Sequence, residues 1–126
     1  MSYEHKACDP EIMLGLTMVS VKIDNNDEEM WFTSDDGRIF KFFHDQACCE
    51  QVSIEDVAGD LQDLVGSPIL MSEEVKSDPP VGVRECESCT WTFYKFATVK
   101  GYVTVRWYGE SNGYYSEDVS MYEVTP

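Results

Sequence analysis

Positive charge is scarce in this chain. Nine Lys and Arg stand against 24 Asp and Glu in 126 residues, a formal net charge of -15. Phosphate backbones are held by clustered cations, so this balance excludes a basic nucleic-acid binder and disfavours docking on anionic membranes. Long apolar runs are also missing, and none approaches the ~18 residues of a membrane span. The start, Met1-Ser2-Tyr3-Glu4-His5-Lys6, lacks the apolar stretch of a signal peptide. No phosphate-cradling glycine loop, dinucleotide fingerprint or H-E-x-x-H zinc motif is present. Cysteines are few and odd in number: Cys8, Cys48, Cys49, Cys86 and Cys89. Without a leader, that count predicts a reducing compartment with free thiols and one buried cysteine, and not a disulfide framework.

What is present suits one domain over 1–126, with a loose segment at about 1–12. A composition of 43% hydrophobic residues can fill a core. Leu14, Leu16 and Met18 alternate, then Val19, Val21 and Ile23 alternate in the opposite phase, which predicts a bulged strand. Asp35-Asp36-Gly37 is a hairpin signal between a strand from Met30 and one carrying Phe40 and Phe42 on one face. Val52 and Ile54 suggest a further strand. Val57, Leu61, Leu64 and Val65 fall at i, i+4, i+7 and i+8, a helical stripe closed by Gly66. Residues 76–88, with Pro79-Pro80, read as an exposed loop. From about 90 to 124 the pattern predicts a three-stranded meander with turns at Lys100-Gly101 and Ser111-Asn112-Gly113. The expected fold class is α+β, mainly antiparallel β, with about seven strands and one short amphipathic helix near 56–65.

Four constellations could carry function. The acids recur along the chain, at Asp27, Glu28, Glu29, Asp35, Asp36, Glu73, Glu74, Glu117 and Asp118 among others. Spaced carboxylates on a rigid scaffold imitate a phosphate backbone and compete for a basic groove; the plainer reading is a solvated face that aids solubility. Residues 24–29 supply oxygen ligands, but an EF-hand needs Gly at its sixth position and Glu at its twelfth, where Glu29 and Asp35 stand. His44, Cys48 and Cys49, with the C-x-x-C of Cys86 and Cys89, could assemble a zinc site. Vicinal cysteines on a strand point to opposite faces, which weakens that reading. Finally, Trp107, Asn112, Tyr114 and Tyr115 surround a turn and could stack a base or anchor a protein.

The strings Cys48-Cys49-Glu50, G-D-L-x-D-L-x-G-x-P-I from Gly59 and S-N-G-Y-Y-S-E from Ser111 carry a resemblance. Over roughly residues 14–124 the chain resembles a family of small uncharacterised proteins, found mostly in bacteriophage genomes and prophages, that carries a domain-of-unknown-function label. The resemblance implies a phage origin, the host cytoplasm, no enzyme activity and no catalytic residues. Cys86 and Cys89 lie outside its pattern. Small acidic phage proteins often inhibit host machinery, including CRISPR and other defence systems, an analogy of class that agrees with the charge.

The expected function is therefore a small acidic interaction protein that binds a basic surface on a host protein and inhibits it. The target class is a nucleic-acid-handling defence effector, in the manner of an anti-CRISPR or DNA mimic. Candidate contacts are Asp27, Glu28, Glu29, Asp35, Asp36, Glu73, Glu74, Trp107, Asn112, Tyr114, Tyr115, Glu117 and Asp118. No cofactor, direct nucleic acid or membrane partner is expected, and exposed strand edges make a homodimer an option. The alternative is a metal- or small-ligand-binding module: zinc on His44, Cys48, Cys49, Cys86 and Cys89, or a nucleotide sponge around Trp107.

Overall fold

The computed structural model describes residues 4–79 and 87–125. Among the described residues, nine strands form two sheets that pack face to face. In chain order they are β1 (Glu4–Ala7), β2 (Met18–Asp24), β3 (Glu29–Ser34), β4 (Ile39–Phe43), β5 (Gln51–Ala58), β6 (Met71–Ser77), β7 (Ser88–Thr98), β8 (Gly101–Ser111) and β9 (Ser120–Thr125). The first sheet runs β1-β9-β4-β3-β2 and the second β5-β8-β7-β6, and every strand pair is antiparallel. Two short 3-10 turns, Pro10–Met13 and Leu61–Leu64, complete the architecture.

Alternation of apolar residues dictates the layers. Met30 and Phe32 on β3 and Phe40 and Phe42 on β4 point inward and are fully buried. They meet Tyr94 and Phe96 of β7 and Val103, Val105 and Trp107 of β8. Ring centroids of Phe32 and Phe96 lie 5.0 Å apart and those of Phe42 and Tyr94 4.7 Å, so aromatic pairs join the two sheets. Such pairs add about 0.5–1.5 kcal/mol each beyond their buried area. The bulge predicted where the phase flips is present: the β2–β3 register shifts between Met18 and Ser20. The Asp35-Asp36-Gly37 and Lys100-Gly101 turns are also where the pattern predicted them. Residues 4–7, read as a loose start, pair along β9.

The helix is not there, and the α+β assignment is corrected to an all-β sandwich. About 58% of the described residues are strand, and among them the helical elements are 3-10 turns. Segment 51–58 instead pairs with β8 from Gln51 opposite Glu110 to Ala58 opposite Thr104, burying Val52 and Ile54. A short isolated helix nucleates poorly, whereas this ladder satisfies its backbone and fills the core at once. Gly59 ends the strand at φ +106, where an added Cβ would lie 2.5 Å from the Tyr102 carbonyl oxygen. Asp60 then accepts a bond from the Gln62 amide at 2.9 Å and caps the single turn that buries Leu64. The predicted three-stranded meander is corrected too: β7 and β8 pair, but β9 crosses to the other sheet, between β4 and β1.

Candidate functional site

Carboxylates gather where the edge strand β6 passes the Pro10–Met13 turn. Asp9 precedes that turn in extended conformation, with Pro10 at its first position. Its side chain makes no capping bond, so the carboxylate stays in solvent. The Ser72 hydroxyl of β6 donates to the Pro10 carbonyl at 2.7 Å and ties turn to strand. The result is a cleft of about 360 Å³ lined by Asp9, Pro10, Glu11, Ser72, Glu73 and Glu74. Two adjoining clefts share Asp9 with it. All four acids are exposed.

None of them forms an ion pair among the described residues, although Lys95 stands opposite Glu73 in the β6–β7 register and Lys6 lines an adjoining cleft with Asp9 and Glu11. Among the described residues, Arg38 pairs with Glu123, Lys41 with Glu29, Lys76 with Asp118 and Arg106 with Glu55, while Lys100 donates to the Val65 carbonyl. Glu74 accepts from the Tyr94 hydroxyl at 2.6 Å. Burial, and then the Glu74 carboxylate, push the Tyr94 hydroxyl far above its ordinary range, so it stays a donor. Its bond steadies Glu74 without adding positive charge.

A second polar centre lies in the 44–50 loop. Glu50 has no side-chain exposure, and its carboxylate accepts His44 Nε2 at 2.9 Å and the amides of Ala47 at 3.0 Å and Cys48 at 2.8 Å. Burial pushes the carboxyl up, but these donors outweigh it and hold it at about 2. His44 Nδ1 lies 2.7 Å from the Asp118 carbonyl. Each ring nitrogen therefore faces an acceptor, the Asp118 carbonyl on one side and the Glu50 carboxylate on the other. Glu50 and His44 thus stitch β4, β5 and the 112–119 connection together. Beside them opens a cleft of about 550 Å³ whose lining includes Asn25, Glu28, His44, Gln46, Gln51 and Ser53.

The predicted contact residues therefore part company. Glu73 and Glu74 line the acidic cleft, with Asp9 and Glu11 from the segment expected to be loose. Asp27 and Glu28 are exposed on the β2–β3 turn at another edge. Residues 25–27 there all have positive φ, from 54 to 66, and the Asp27 carbonyl accepts from the Ile54 amide at 2.7 Å. Glu29 is half-buried against Lys41 and Trp31. Asp35 is exposed, whereas Asp36 is bound by the Ser34 hydroxyl, which with Arg38 holds its carboxyl below the usual range. Asp118 is exposed but paired with Lys76 at 3.0 Å.

Two contacts are corrected outright. Trp107 is fully buried in the core, because its place on the inner face of β8 opposes Ile54. Glu117 is buried as well; it accepts from Thr90 at 2.8 Å and Ser111 at 2.6 Å and so fastens the loop that carries the chain between sheets. Asn112 accepts from the Tyr114 amide at 3.1 Å, a turn bond, and Tyr114 is 89% exposed beyond it. With Trp107 in the core, the aromatic cluster proposed for a base does not form.

Among the described residues no group of three or more His, Cys, Asp or Glu side chains comes together to hold a metal. Both His44 ring nitrogens are engaged, by the Asp118 carbonyl and the Glu50 carboxylate. Cys89 is disulfide-bonded, which corrects the expectation that it is a free thiol. Cys8, Cys48 and Cys49 are free. Cys86 lies outside the described residues.

Residues 11–121 match the model of the DUF7448 family, described as a domain of unknown function. The chain belongs to that family. No curated protein and no solved structure matches it. The DUF7448 match covers the acids Glu11, Glu73 and Glu74, the Glu50 network and strands β2 to β8. The unknown-function label expected from the resemblance is thereby met.

Proposed function

We propose that this DUF7448 protein is a non-enzymatic interaction protein whose acidic cleft receives a basic surface of a protein partner. The observation that carries the reading is a cleft whose lining includes Asp9, Glu11, Glu73 and Glu74, all exposed and without an ion pair among the described residues. A cluster of this kind on a chain of net charge -15 projects a negative field that steers and orients a cationic patch. Rigid strands and a tied turn hold the carboxylates, so little ordering entropy is lost on docking. The finer reading is that of a bacteriophage protein acting in the host cytoplasm, where it covers the nucleic-acid groove of a defence effector. It follows from the resemblance and from the shared chemistry of carboxylates and phosphates.

The test is capture from bacterial lysate at low and moderate salt, with the wild type beside a variant carrying Asp9→Lys, Glu11→Lys, Glu73→Lys and Glu74→Lys. The expected outcome is a stoichiometric partner lost with salt and with the reversals, whose binding to duplex DNA the wild-type chain displaces. A partner held equally by the reversed variant, or one whose DNA binding is untouched, overturns the proposal.

A further inference from the structure

The 44–50 loop exposes two thiols. Cys48 and Cys49 are both free and solvent-facing, and their sulfurs lie 3.0 Å apart, with the Cys48 thiol directed at Cys49. Neighbouring side chains on an extended strand diverge; here the loop turns them the same way. We propose that Cys48 and Cys49 form a dithiol modification site that closes to a vicinal disulfide under a two-electron oxidant, and that closure re-aims the loop walling the 550 Å³ cleft.

The chemistry balances with hydrogen peroxide as oxidant. One sulfur attacks the peroxide O–O bond, becomes a sulfenic acid and releases one water. The second sulfur then displaces the hydroxyl of that sulfenic acid, which leaves as a second water as the S–S bond forms. Two thiols lose two electrons and two protons, and one peroxide is reduced to two waters.

The mechanical consequence follows from reach. Adjacent Cα atoms across a trans peptide are about 3.8 Å apart, below the ~4.4–6.8 Å usual for disulfides, so closure must turn the peptide between the two cysteines. That peptide is held. Its carbonyl, on Cys48, accepts Gln46 Nε2 at 3.0 Å, and the preceding amide of Cys48 donates to Glu50 Oε1 at 2.8 Å. Turning the peptide withdraws an acceptor from Gln46, which also donates to the Glu50 carbonyl. Gln46, Glu50 and His44 all line the cleft. A covalent change at the two exposed sulfurs thus reaches the buried His44 and Glu50 pair through two hydrogen bonds. The site shares no residue with the acidic cleft, so the two proposals stand or fall separately.

The experiment uses the full chain with Cys8→Ser, which removes the other free thiol among the described residues. It is treated with hydrogen peroxide, then alkylated, digested and weighed, while the His44 ring is followed by NMR. The expected result is a peptide containing both cysteines that is lighter by two hydrogens and unalkylated, restored by dithiothreitol. The His44 ring resonances move on oxidation and return on reduction. Adding Cys48→Ser or Cys49→Ser abolishes both changes, and both variants stay folded because the two side chains are exposed. Two sulfinic or sulfonic acids in place of the closed ring, or thiols still fully alkylated after oxidation of a control dithiol, overturn the site. A disulfide that leaves the His44 resonances unmoved overturns its coupling to the loop.

Discussion

At Glu50 a carboxylate with no side-chain exposure is held by three donors. The pH dependence follows from its direction. Its folded-state pKa, about 2, is depressed from an ordinary 4.5. The group therefore contributes stability above pH 4.5, and that contribution drains as pH falls toward 2. Urea unfolding across this window should show stability falling with acid, and Glu50→Gln should flatten the slope. It should not abolish it, because Glu123, held down by Arg38, and Asp36 titrate in the same direction. Trp107→Ala should cost about 3–5 kcal/mol, as for other large core residues, measured by equilibrium denaturation. An unchanged midpoint would mean the indole is not core.

Among the elements, β5 shows how local and tertiary preferences compete. The stripe of Val57, Leu61, Leu64 and Val65 is compatible with a helix, and neither Gly59 nor Asp60 forbids one by itself. The edge of β8 decides, because it offers pairing partners along the whole of segment 51–58. Far-ultraviolet circular dichroism should therefore show a β spectrum without the helical double minimum. Gly59→Ala should destabilise by about 3 kcal/mol, since strain at positive φ adds to the collision with the Tyr102 carbonyl. Gly37→Ala meets open space at φ +91 and should cost only about 1–2 kcal/mol, from backbone strain alone. Equal losses at the two positions in thermal melts would remove the steric account.

For the whole molecule, charge and topology act together. Asp9 was not among the expected contacts, whereas Glu73 was; the packing of a short turn on an edge strand sets both along one cleft. Binding to the proposed basic partner should weaken at least tenfold when all four cleft acids are reversed, roughly 1.4 kcal/mol or more. Reversing Asp35 and Asp36 on the β3–β4 turn should lower affinity less, and mainly through the association rate. Titration calorimetry and stopped-flow mixing at two salt concentrations separate these outcomes.

Much of the strand order along the chain was legible in the residues, for a physical reason. Inward alternation at Met30, Phe32, Phe40 and Phe42 has period two, and the turns between strands demand Gly, Asn or Asp, so these signals are local. The phase flip near Met18 announced a bulge in the same way, and the acidic balance is composition alone. The partners of each strand were not legible. Whether 57–65 coils or extends, and whether β9 stays beside β8 or crosses to β4, depends on ladders between segments far apart in sequence. The same holds for the site. That Trp107 and Glu117 turn inward, that both His44 nitrogens are engaged and that four acids share one cleft are properties of two sheets brought face to face. Carboxylates become a surface only when the fold sets the distances between them.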